Sequence, residues 1–81
     1  MKNHNKAFGK ALRTVRKMRG FTQETLAFEC ELDRTYISML ELGTNSPTLD
    51  TIMVLCRALD ISLPEFATHV EAEMENSTCK T

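Results

Sequence analysis

Apolar runs approaching the roughly 20 residues that cross a bilayer are missing from this 81-residue chain, and glycine and proline occur only three and two times. The first absence excludes a membrane-spanning helix. Met1-Lys2-Asn3-His4-Asn5 leads into a charged segment rather than an apolar signal core, so a cytoplasmic protein with no membrane partner is expected. Few helix breakers, and no run that alternates polar with apolar as a half-buried strand does, point to an all-α class. The length supports one small domain, placed at residues 1–75, with a polar tail at 76–81 expected to be disordered.

Catalytic signatures are missing as well. There is no Gly-rich phosphate loop, no metal-spaced ligand set and no convincing Ser/His/Asp or paired-carboxylate arrangement, so neither an enzyme nor a cofactor is expected. No pocket for a small-molecule effector is evident in a domain of this size. Cys30, Cys56 and Cys79 are odd in number and lack Cys-x-x-Cys spacing, which excludes a disulfide framework and a zinc site. Cys30 and Cys56 read as small buried apolar residues, and Cys79 as a free thiol in the tail.

Net charge is −1, but its distribution is uneven. Every charged side chain up to Gln23 is basic: Lys2, Lys6, Lys10, Arg13, Arg16, Lys17 and Arg19. From Glu65 onward, Glu65, Glu71, Glu73 and Glu75 face only Lys80. Such polarity orients a molecule on a polyanion, or else reflects two solvated helix faces of opposite sign.

Phe8, Leu12, Val15 and Met18 mark the inner face of a first helix over about Asn5–Arg19, ended by Gly20 at positive φ. Thr22 caps a second helix, Gln23–Cys30, with Leu26, Ala27 and Cys30 inward. Asp33 caps a third, Arg34–Leu42, with Ile37, Leu40 and Glu41 inward, and Gly43 ends it. Thr48 caps a fourth, Leu49–Leu59, with Leu49, Ile52, Leu55, Cys56 and Leu59 inward. Ser62 and Glu65 form a capping pattern that opens a fifth helix running from Leu63 to about Glu75. Helices two and three, joined by a tight turn, have the form of a helix-turn-helix, with Ala27 giving close approach and Leu32, Ile37 and Leu40 the anchors.

Together Arg16, Phe21-Thr22-Gln23-Glu24-Thr25-Leu26-Ala27, Ile37-Ser38, Glu41-Leu42-Gly43, Ser46-Pro47-Thr48-Leu49 and Leu59-Asp60-Ile61 resemble the lambda-repressor/Cro-like helix-turn-helix family of bacterial transcription regulators. The resemblance spans about Phe8 to Phe66. The run Leu32-Asp33-Arg34-Thr35-Tyr36-Ile37-Ser38 is also similar to that of the controller proteins of restriction-modification operons. The resemblance implies a five-helix bundle that binds double-stranded DNA through its third helix.

On that reading Gln23, at the free amides of a helix N-terminus, is expected to meet a phosphate. Arg34 is expected to pair with guanine O6 and N7, or to reach a phosphate. Thr35, Ser38 and Met39 are expected to face the groove. Tyr36 is placed on a phosphate, on a flexible base step or at the rim of the core. The resemblance also implies an Arg16–Glu41 bridge, Arg16 near a phosphate, and backbone contacts from Thr44, Asn45 and Thr48. Glu31 occupies the turn position that usually holds glycine, at a strain of about 1 kcal/mol.

A domain this small reads few base pairs, so a two-fold homodimer on half-sites one turn apart is expected, a monomer with a fraying last helix being the alternative. Met53, Phe66, Val70 and Met74 are the expected dimer surface, with Leu63 and Phe66 also expected to reach the core. The competing function is a protein-interaction module, an adaptor or antitoxin-like domain that keeps the helix-turn-helix fold without reading DNA.

Overall fold

The structure, a computed structural model, describes the backbone of residues 4–79 and the side chains of residues 4–75. Five helices follow in order: α1 (His4–Met18), α2 (Gln23–Cys30), α3 (Arg34–Leu42), α4 (Leu49–Ala58) and α5 (Leu63–Cys79). No strand occurs among the described residues, and the all-α expectation holds.

Local chemistry sets most of the boundaries. Thr22 Oγ1 accepts from Thr25 N at 3.0 Å while Thr25 Oγ1 accepts from Thr22 N at 2.9 Å, a reciprocal box that satisfies two otherwise orphaned donors. Asp33 Oδ1 accepts from Thr35 N, Thr48 Oγ1 from Thr51 N and Ser62 Oγ from Glu65 N, all at 3.1–3.2 Å. Each such cap contributes about 1 kcal/mol. Between α2 and α3, Glu31 is left-handed at φ 57°, and Leu32 N reaches back to Ala27 O at 2.9 Å to close the turn. The same left-handed closure recurs at Asp60, φ 55°, after α4.

α1 is the central element, packed against both α5 and α3, with α2 lying on α3 and α4. Ala11, Leu12, Val15, Leu26, Ile37, Leu40 and Leu59 are fully enclosed. The α1–α3 crossing is unusually close. A Cβ placed on Gly9 would stand 2.4 Å from Glu41 O and 2.5 Å from Leu40 O, so only glycine lets the two backbones approach this far. One turn along, Gly43 at φ 82° caps α3 against α1, where a Cβ would meet Lys6 Cγ at 2.7 Å and Lys6 Cα at 2.9 Å.

Arg19, one of the basic residues near the N-terminus and the first after α1, is used in the fold: its Nε and Nη2 donate to Leu59 O at 2.7 Å and Asp60 O at 3.1 Å, capping α4.

Several apolar assignments require correction. Phe66 is not a dimer-surface residue: it is 2% exposed and meets Phe8 edge-on, with centroids 5.4 Å apart. Burial of that ring contributes about 1.5–3 kcal/mol, which the fold takes for its own core. Met18, at 60% exposure, and Leu49, at 65%, lie beyond the rim of the core at helix termini, and Leu63 is likewise exposed. α5 continues to Cys79, past the expected end near Glu75, because Asn76-Ser77-Thr78 holds no glycine or proline to break it. The expected disordered tail thus overlaps helical backbone at 76–79, while residues 80–81 and the Cys79 thiol lie outside what the structure describes. Cys30 and Cys56 are buried and unpaired.

Candidate nucleic-acid interface

Asp33 starts α3 so that Arg34 and Thr35 stand on its first turn, both exposed. Ser38 and Met39 follow along the same helix, half-buried. Tyr36, also half-buried, packs against the core, which places it at the rim among the readings open to it. Ile37 and Leu40 hold the opposite face. The helix is thus gripped on one side and open on the other.

Its orientation is set by a buried ion pair. Arg16 Nε donates to Glu41 Oε2 at 2.6 Å and Arg16 Nη2 to Glu41 Oε1 at 3.1 Å, a bidentate fork, while Nη1 donates to Phe21 O at 2.8 Å. Both side chains are nearly excluded from solvent. One guanidinium therefore ties α1, the α1–α2 turn and the end of α3 together. The bridge expected of Arg16 is present; its buried position leaves this side chain little surface for a phosphate.

Gln23 joins the same cluster, its Nε2 donating to Glu41 Oε1 at 3.0 Å. The carboxylate only accepts, so the amide must turn its nitrogen inward, and one N–H of that nitrogen remains for an outside acceptor. Beside it an open notch is lined by Arg16, Lys17, Phe21, Thr22, Gln23, Glu24 and Arg34. Gln23 and Arg34, 11 positions apart in sequence, thus share one concave surface.

The loop after α3 differs from expectation in how its hydroxyls are used. Thr44 Oγ1 donates to Met39 O at 3.1 Å, and Thr48 Oγ1 donates to Thr51 Oγ1 at 3.0 Å. A hydroxyl has one proton, so both of these donors are spent on helix ends, and what this loop offers an anion is its backbone amides with the Asn45 side-chain amide and the Ser46 hydroxyl. Asn45 lies half-buried between them.

On α1, Lys6, Lys10, Arg13 and Lys17 recur at i, i+4, i+7 and i+11 and form one exposed basic stripe. Its sequence signal was legible. Three other features were not read from sequence: Gly9, the Gln23–Glu41 bond and the exposed Phe28 on α2. For Gly9 a signal existed, since a glycine inside a helix is destabilising by about 0.5–1 kcal/mol and so points to close approach of another backbone. Cys30 adds an electrostatic detail: burial, then the neighbouring Glu29 carboxylate, push its thiol up to about 11. It is an inert apolar filler.

Residues 12–66 match the Helix-turn-helix family. The control protein C.BamHI of Bacillus amyloliquefaciens is 46% identical over 55 residues, covering 67% of this chain and 68% of that protein. The crystal structure of the restriction-modification controller protein C.AhdI from Aeromonas hydrophila superposes with a TM-score of 0.77 at 40% identity, covering 80% of this chain and 98% of that one. The controller protein C.Esp1396I, solved as a tetramer with its natural 35-base-pair operator, superposes with a TM-score of 0.82 at 27% identity, covering 90% and 96%. The crossing of α2 and α3, the Arg16–Glu41 bridge and these matches agree: the chain belongs to the lambda-repressor/Cro-like helix-turn-helix family, with the restriction-modification control proteins as its relatives.

Proposed function

We propose that the protein is a transcription regulator that binds double-stranded DNA sequence-specifically, as a homodimer on a two-fold operator, with α3 in the major groove. The observation that carries this reading is the exposed Arg34-Thr35 pair on a helix whose opposite face is locked by Ile37, Leu40 and the Arg16–Glu41 fork. A base contact needs a side chain presented by a rigid support, and α3 is such a support.

In this reading Arg34 pairs with a guanine, worth about 1–3 kcal/mol of discrimination, with Thr35, Ser38 and Met39 alongside. Gln23 gives its remaining N–H to a phosphate, assisted by the α2 N-terminus and Lys17. Tyr36 sits at the core rim with its hydroxyl toward the DNA backbone. Thr44, Asn45 and Thr48 present main-chain amides to the strand beyond. Arg16 acts through Glu41 as a positioning residue. Met53, Val70 and Met74 supply the dimer surface, without Phe66. The protein acts in the cytoplasm, with no catalytic role.

The test is selection of bound duplexes from a random pool, repeated with Arg34→Ala and over a salt series. A palindromic motif is expected, with one base preference lost in Arg34→Ala and affinity falling steeply with salt. Absence of any enriched duplex defeats the proposal. It would then favour the interaction module, whose supporting observation is Phe28, 80% exposed on α2 beside Glu24 and Glu29.

A further inference from the structure

A helix lying in a major groove about 12 Å wide has a phosphate row on each wall, so both of its ends need something that tolerates or attracts negative charge. At the N-terminal end of α3 this is provided by Arg34, Lys17 and Gln23 around the notch. At the other end the segment Leu42-Gly43-Thr44-Asn45-Ser46-Pro47-Thr48 contains no basic side chain, and the hydroxyl protons of Thr44 and Thr48 are already used. Left to itself, this end would meet a phosphate row with neutral donors and no cation: main-chain amides, the Asn45 side-chain amide and the Ser46 hydroxyl.

Another part of the chain stands in that place. Lys6 of α1 lies directly on Gly43, its Cγ and Cα only 2.7 and 2.9 Å from where a residue-43 Cβ would be. The absence of a side chain at 43 is what lets the lysine stem pass over the end of α3. The ammonium lies three bonds beyond Cγ on a flexible stem, and the residue is exposed. The first turn of α1 holds no acid, and Lys6 makes no ion pair among the described residues. The cation, the missing loop charge and the glycine that brings them together form one arrangement.

We propose that Lys6 is the phosphate-binding cation for the C-terminal end of the recognition helix, supplied across Gly43 by α1 in place of a basic residue in the loop. This rests on the DNA-binding reading above. It separates Lys6 from Lys10 and Arg13 of the same stripe, which do not sit on Gly43 and contribute only a diffuse field.

The test uses the full chain and the duplex it selects, with affinity measured from 50 to 200 mM salt. Removing one phosphate contact lowers the slope of log affinity against log salt by about 0.9 per protomer. Lys6→Gln is expected to show that loss while keeping the selected motif, and Lys6→Arg to retain the wild-type slope. Lys6→Gln/Thr44→Lys, which returns the charge to the loop, is expected to recover it. Phosphate-ethylation interference is expected to lose one position per half-site in Lys6→Gln. An unchanged slope and interference pattern in Lys6→Gln overturns the proposal, and so does an equal loss in Lys10→Gln. Both results leave the DNA reading standing, whereas a wild-type chain that enriches no duplex brings that reading down first and this inference with it.

Discussion

Gly9→Ala is the sharpest test of how α3 is held. The added methyl would lie 2.4 Å from Glu41 O, 2.5 Å from Leu40 O and 2.8 Å from Glu41 C, all backbone atoms that cannot rotate aside. Ordinary contact begins at 3.4 Å, so the helices must part by about 1 Å. Overpacking of this kind is destabilising by about 1–3 kcal/mol, and the upper half applies because the collision is with main chain. Against it stands the helix-propensity gain of about 1 kcal/mol for alanine over glycine. The balance is a net loss of about 1–2 kcal/mol, a fall in Tm of about 5–15 °C for a domain of this size.

Circular dichroism melting reads that fall, and titration of the selected duplex reads a second effect: the displaced α3 no longer presents Arg34 at the same depth, so binding weakens. Gly20→Ala provides the comparison, since nothing lies within 4 Å of its Cβ and only the φ of 80° opposes alanine, at about 1 kcal/mol. Gly20→Ala should soften the fold while leaving the affinity of the folded protein unchanged. A Gly9→Ala protein that melts at or above the wild-type temperature would refute the close crossing and everything drawn from it.

Three further outcomes are expected. Glu31→Gly relieves the left-handed strain at φ 57° and raises the unfolding free energy in urea by about 1 kcal/mol; a loss of stability would contradict the strain argument. Arg16→Ala strands the Glu41 carboxylate in a nearly dry site and is destabilising by about 3–5 kcal/mol, with part of the loss recovered in Arg16→Met/Glu41→Leu, both by denaturant titration. The Cys30 thiol, raised from 9.0 to about 11 on folding, holds its proton longer in the native state, so its stabilising contribution is complete below pH 9 and is lost between pH 9 and 11. Stability measured across that window should fall less in Cys30→Ala than in wild type, and equal slopes would remove Cys30 as the cause.

The parts of the fold legible in sequence were those governed by neighbours in the chain. Thr22, Asp33 and Gly43 end or begin helices by bonding four or fewer residues away, and α2 and α3 have the expected bounds. The apolar stripes identified a face but not how far the core reaches along it. Leu49 and Leu63 carry the right spacing yet lie at first turns that overhang the rim, and Phe66, which the spacing of α5 offers to the core and to the dimer surface alike, is taken by the core. Arg34 and Thr35 were readable because exposure at a helix start follows from the cap. Gln23–Glu41, Arg19–Leu59 and Gly9–Glu41 join residues 18 to 40 positions apart, and no local pattern encodes such a meeting. Lys6 on Gly43 is of the same kind: both residues are ordinary in sequence, and only the crossing of α1 and α3 makes them neighbours.

The bond from Gln23 to Glu41 has a consequence in the kinetics and entropy of association. A free glutamine at a helix start samples many rotamers, and immobilising such a side chain on binding costs about 0.5–1.5 kcal/mol. Here the amide is already ordered by a carboxylate that is itself ordered by Arg16. For the phosphate contact proposed for Gln23, that ordering has been completed during folding, so an arriving duplex meets a fixed donor and association begins without a search among rotamers at that point.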